Sequence, residues 1–127
     1  MVQNMNGYMP MFPGTYNPST HMSVLKAVQD CEATCEHMTT LLKGKPDVHM
    51  RGKQLMLLRD CADICGLTAK YIARCSPFAK HMAHLCAMIC QVCGTECSRF
   101  PDAESQYCAQ VCLNCAQACQ AFAMMSM

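Results

Sequence analysis

The sequence predicts an all-α protein: an up-down-up-down four-helix bundle with a cysteine-lined core and a disordered or extended N-terminal arm. Three observations predict it. Start and stop signals cut residues 19–123 into four pieces of helical length. The connections between them are short, which forces sequential helices to run antiparallel. Each piece carries a Cys-x-x-x-Cys unit at helical spacing, and no segment alternates with the period of a strand.

The elements follow in order. Residues 1–18 hold Gly7, Pro10, Pro13, Gly14, Asn17 and Pro18, the chemistry of turns and extended chain, and form the expected arm. The bundle occupies 19–127. Its first helix is expected from Ser19 or Thr20 to Lys43, where Gly44 and Pro46 stop it and Lys43 suits the negative end of the helix dipole. The second is expected over 47–74, with Gly52 and Gly66 as weak points inside it. Ser76-Pro77 reads as a cap followed by a first-turn proline, so the third spans 77–99. Pro101-Asp102 breaks the chain again, and the fourth spans 102–123.

Composition narrows the function. Lys+Arg 10 against Asp+Glu 9, with 15% charged residues, leaves no basic footprint for nucleic acid. Aromatic residues make up 6% and tryptophan is absent, so stacking platforms for single strands are missing too. No apolar run reaches the ~18–20 residues of a membrane span. The anomaly is sulfur: Cys 13 and Met 13 in 127 residues.

Many cysteines in a short chain first bring to mind a secreted disulfide scaffold. The count here is odd, however, and MVQNMNGYMPMFPGTYNP has neither the positive nor the apolar region of a secretory signal. Cysteines at i,i+4 on a helix also have Cβ atoms about 5–6 Å apart, whereas a disulfide wants about 3.5–4.5 Å. Reduced thiols in a cytoplasmic protein are therefore expected.

The first helix carries Cys31 and Cys35, and the second Cys61 and Cys65. The third carries Cys86, Cys90, Cys93 and Cys97, and the fourth repeats that pattern with Cys108, Cys112, Cys115 and Cys119. At 100° per residue the 4-3-4 spacing keeps four sulfurs within an arc of about 60°. Continued helical winding would bring Cys75 back onto the face of Cys61 and Cys65. Free cysteine is a small buried hydrophobe, but one register repeated this often marks a shared interior built for a soft metal.

Among soft metals, zinc sites want four ligands, and four thiolates leave a surplus of negative charge that a dry core tolerates poorly. Cu(I) accepts fewer ligands, shares bridging thiolates and reaches neutrality at one ion per thiolate, so many Cu(I) ions per chain are expected. Iron–sulfur ferredoxin spacing and Glu-x-x-His pairs are both lacking. When empty, thiols with an ordinary pKa of about 8.5 stay protonated, and each ion displaces a proton.

One end of such a bundle would gather His21, Met22, Cys75, His81, Met82, Met124 and Met125, uncharged donors suited to passing an ion inward. Met82 and Met38 fall on the cysteine stripes of their helices. Cys31, Cys35, Cys61, Cys65, Cys75, Cys86, Cys90, Cys93, Cys97, Cys108, Cys112, Cys115, Cys119, Met82, His81, Met38 and His21 are the candidate ligands. Met1, Met5, Met9 and Met11 in the arm could collect copper, but the sequence assigns the arm no function.

The segments CEATC, LLRDCADIC, CAMICQVCGTEC and YCAQVCLNCAQAC resemble the bacterial copper storage proteins over residues 19–123. SPFAKHMAHLCAMIC is similar to the start of the third helix in the cytosolic branch. The resemblance implies a non-catalytic store of multiple Cu(I) ions, assembly into homotetramers, and entry at a mouth holding His81 and Met82. The chain has fewer cysteines than many cytosolic members, and its arm is unusual. Two other readings stay open: a zinc store, and a thiol redox or copper-transfer protein using the Cys-x-x-Cys pairs Cys90/Cys93 and Cys112/Cys115.

Overall fold

The computed structural model describes residues 17–125; the arm over 1–16, with its four methionines, and residues 126–127 lie outside the described residues. Four helices follow in order: α1 (Pro18–Lys43), α2 (Gly52–Ala73), α3 (Ala79–Cys97) and α4 (Ala103–Ala123). Each packs against its sequence neighbours and α4 closes on α1, so the core is one central file.

The start of α1 is fixed by Asn17, whose Oδ1 accepts N–H bonds from Ser19 (2.9 Å) and Thr20 (3.2 Å), with Pro18 in the first turn. Gly44 ends it, donating to the Leu41 carbonyl at 3.1 Å. The second helix does not start at Asp47. A single 3₁₀ turn spans Val48–Met50, and α2 begins at Gly52. The Asp47 carboxylate caps nothing; it accepts from Arg51 Nε at 3.2 Å instead. Gly52 consequently stands at the helix edge, where glycine costs little.

Where α2 ends decides the place of Cys75. The N–H of Ser76 reaches back to Tyr71 O and that of Cys75 to Ile72 O, both at 3.0 Å. This is the Schellman closure, and it puts Cys75 in the left-handed region at φ 52°. The chain then turns at Ser76-Pro77, with Ser76 Oγ accepting from Phe78 N at 3.1 Å, and α3 starts only at Ala79.

At the other end, Asp102 caps α4 by accepting from Ser105 N at 3.0 Å. Gln106 Nε2 donates to the carbonyls of Ser98 (3.0 Å) and Phe100 (2.7 Å), covering free acceptors at the end of α3. The α3–α4 seam is close because Gly94 is bare: a Cβ there would lie 2.9 Å from Leu113.

The buried face of α1 runs Val24, Val28, Cys31, Cys35, Met38, Leu42, and that of α2 runs Gln54, Leu58, Cys61, Cys65, Thr68, Ile72. Aliphatic residues thus bracket two turns of cysteine. On α3 and α4 cysteines fill the interior stripe from Cys86 and Cys108 onward, after buried Ala79 and Ala83 on α3 and Ser105 on α4, with alanines beside them.

Candidate metal centre

Antiparallel packing sorts the sulfurs into layers. Starting from the end where α1 and α3 begin, Cys119 lies 3.9 Å from Cys115, and Cys86 lies 3.7 Å from Cys65 and 3.8 Å from Cys90. Next, Cys90 meets Cys65 and Cys115 at 3.7 Å and Cys61 at 3.6 Å. Then Cys31 bridges Cys61 (3.8 Å) and Cys112 (3.9 Å), and Cys112 also meets Cys35 (3.6 Å), Cys108 (3.9 Å) and Cys93 (4.0 Å). Cys97, beside Cys93 and Cys108, completes the file.

All thirteen cysteines are free thiols, and every one but Cys75 is buried. Two quartets, Cys31/Cys65/Cys90/Cys115 and Cys31/Cys35/Cys61/Cys112, hold their sulfurs within 4.8 Å of one another, as does the trio Cys86/Cys115/Cys119. Because Cys31 belongs to both quartets, the interior is a continuous sulfur lattice rather than a set of separate four-ligand sites. Lattices of this kind suit ions that share bridging thiolates.

Neighbouring sulfurs share protons. Hydrogen bonds from adjacent thiols, with burial adding to them, push Cys35, Cys65, Cys90, Cys97, Cys112 and Cys119 up. Among the described residues the only buried cation is Arg51, beyond the end of the file. A file of free thiolates would have no counter-charge, so the empty core is neutral and protonated.

One candidate lies apart from the buried file. Cys75 sits half-buried outside α2, at the left-handed closure of that helix, and burial raises its thiol. Met38 is fully inside, 2% exposed, next along the stripe from Cys35. Met82 is half-buried, and its carbonyl accepts from Thr68 Oγ1 at 3.4 Å. His21 is half-buried, while His81 is exposed. Met22 and Met124 are also exposed, and Lys80 Nζ donates to Met125 O at 2.8 Å, tying the start of α3 to the end of α4.

Sequence reasoning read the opposite end, with Asp47, His49, Met50, Phe100 and Asp102, only as poorer in sulfur and passed over two of its residues. Gln54 and Arg51 are buried there, and Gln54 Nε2 lies 3.5 Å from Cys97 Sγ. The signal was available: Gln54 stands seven residues before Cys61, on the same helical stripe.

Residues 17–124 match the copper storage protein family. The chain belongs to that family. Its match to the uncharacterized cysteine-rich protein YhjQ of Bacillus subtilis (strain 168) is 42% identical over 73 residues, 57% of this chain and 67% of that one. The Cu(I)-bound copper storage protein BsCsp3 is 38% identical, with a TM-score of 0.77 over 82% of this chain and 98% of that one. A cytosolic copper storage protein from Streptomyces lividans, loaded with five coppers, is 25% identical at a TM-score of 0.81, covering 86% and 96%. The cysteine lattice of this copper storage protein thus sits on a fold shared with copper-loaded relatives.

Proposed function

We propose that this chain stores Cu(I) as cargo, about one ion per core thiolate, and that it has no catalytic role. One observation carries the reading: buried sulfurs from all four helices lie 3.6–4.0 Å apart along one axis, where each can bridge two monovalent ions. Each ion entering releases a thiol proton, so neutrality holds at every stage of filling.

The core cysteines are the store, and Met38 lies at its inner margin. His81, Met82 and His21 are the entrance donors, with Cys75 a lip residue beside them. The Cys-x-x-Cys pairs are buried in mid-helix, away from the exposed helix starts that activate redox thiols. That placement favours storage over thiol exchange. A cytosolic location follows from the chemistry, since a reducing compartment keeps such thiols free. No helix among the described residues is long and apolar enough to cross a membrane. Homo-oligomerisation, a tetramer by family resemblance, is supported by Leu85, Met88 and Val92, exposed together on the outer face of α3.

Anaerobic titration of the reduced protein with Cu(I) against a competing chelator tests the function. Many tightly held equivalents per chain, with protons released in parallel, are expected. Saturation at one or two equivalents would make it a carrier or an enzyme instead, and stronger filling by zinc would make it a zinc store. Light scattering on the eluted protein decides the oligomer.

A further inference from the structure

A thiolate that bridges two Cu(I) ions gives two of its three lone pairs to metal, but a sulfur at the end of a file bridges fewer ions and has one more lone pair facing protein. In a dry interior that lone pair is costly unless a donor meets it. At the Cys97 end a donor is present. Gln54 is fully buried, and its Nε2 lies 3.5 Å from Cys97 Sγ and 2.9 Å from Ser105 Oγ, one contact for each amide hydrogen. Its Oε1 accepts from Arg51 NH1 at 3.0 Å, which fixes which way the amide points. Arg51 also donates to Ser105 Oγ at 3.2 Å, pairs with Asp47 (3.2 Å) and Asp102 (2.9 Å), and stacks 4.3 Å over the Phe100 ring.

So much structure aimed at one N–H is not needed to fill space, because leucine would serve, as Leu58 does one turn further along α2. Nor would lysine serve: its charge would neutralise a thiolate in place of a copper ion. A neutral amide satisfies the sulfur and leaves the charge balance to the cargo.

We propose that Gln54 terminates the copper–thiolate file, its amide N–H capping Cys97 and fixing the last copper position at this end, with Arg51 and Ser105 holding the amide in orientation. Gln54 is thus a positioning residue, acting on copper through Cys97, and the proposal rests on the storage function above.

Gln54→Glu keeps the size and the Arg51 contact but removes the N–H; Gln54→Leu removes both. Each is titrated with Cu(I) against a chelator, following the ultraviolet thiolate-to-copper band, with helicity checked by circular dichroism. Both variants are expected to hold the final equivalent about 10- to 100-fold more weakly than the native chain, the earlier equivalents being unchanged. Should Gln54→Leu fail to fold, Gln54→Glu alone decides. A final step that Gln54→Glu leaves at native affinity means that Gln54 only packs, and overturns the cap while the native chain still fills. A native chain that takes up only one or two equivalents removes both the storage function and the cap.

Discussion

Where α1 and α3 begin and α2 and α4 end, the bundle presents half-buried Cys75, Met82 and His21 and exposed Met22, His81 and Met124. Where α2 and α4 begin, it presents buried Arg51 held by Asp47, Asp102, Gln54 and Ser105, with Glu96 beside Lys53 (3.8 Å) and Arg99 (3.0 Å), and Lys45 bonded to Glu104 (3.2 Å). Among the described residues the first end offers soft donors with no buried charge; the second is tied by fixed charges, with His49 and Met50 exposed beside them. The guanidinium of Arg51 is buried at the second end, whereas Arg74 at the first lies exposed over the Tyr71 ring. The difference fits the proposed way in at the first end and leaves the other end to carry the bundle's polar fastening.

Substitution at the tied end should break this contrast most. Arg51→Ala leaves Asp102 and Gln54 without their partner, and we expect urea unfolding of the empty protein to show a loss of about 3 kcal/mol. A loss below about 1 kcal/mol would mean that the network is ornamental.

The same network sets an acid limit. Burial alone would raise the Asp102 carboxyl, but the Ser105 hydrogen bonds and the Arg51 pair outweigh it and hold it at about 2. A carboxyl lowered on folding stabilises fully above its unfolded value of about 3.9 and loses that contribution as pH falls through the folded one. Stability should therefore drop between about pH 4 and pH 2. Much of that drop should vanish in Asp102→Asn, and an unchanged acid profile would count against the pair.

At the soft end stability effects should be smaller. Asn17→Ala removes the α1 cap and should cost about 1 kcal/mol in the same unfolding measurement. His81→Ala, at an exposed site, should change stability by less than about 0.5 kcal/mol. Stopped-flow mixing with a Cu(I) complex should nonetheless show slower filling to an unchanged capacity, and more so when combined with Met82→Leu. Equal filling rates would move the entrance elsewhere.

The four helices, their antiparallel order and the inward cysteine stripe were legible because each depends on short-range spacing: Cys-x-x-x-Cys on a 3.6-residue helix, Gly44 as a stop, Asp102 as a cap. Two helix starts were misplaced for one shared reason. Asp47 and Ser76-Pro77 carry capping chemistry, but Asp47 is drawn to Arg51 and Ser76 closes a turn before α3. A side chain with two possible partners cannot be assigned from spacing alone.

Cys75 and Gln54 mark the boundary between the two levels. By itself the sequence determined the register of twelve core sulfurs, because helical periodicity carries a residue's direction along the chain. Only the folded structure decided that Cys75 lies outside α2, through a local closure whose backbone bonds run back to Tyr71 and Ile72. It also decided that a glutamine on the cysteine stripe meets Cys97, Ser105 and Arg51, since those partners are brought together by packing between helices and not by any local rule.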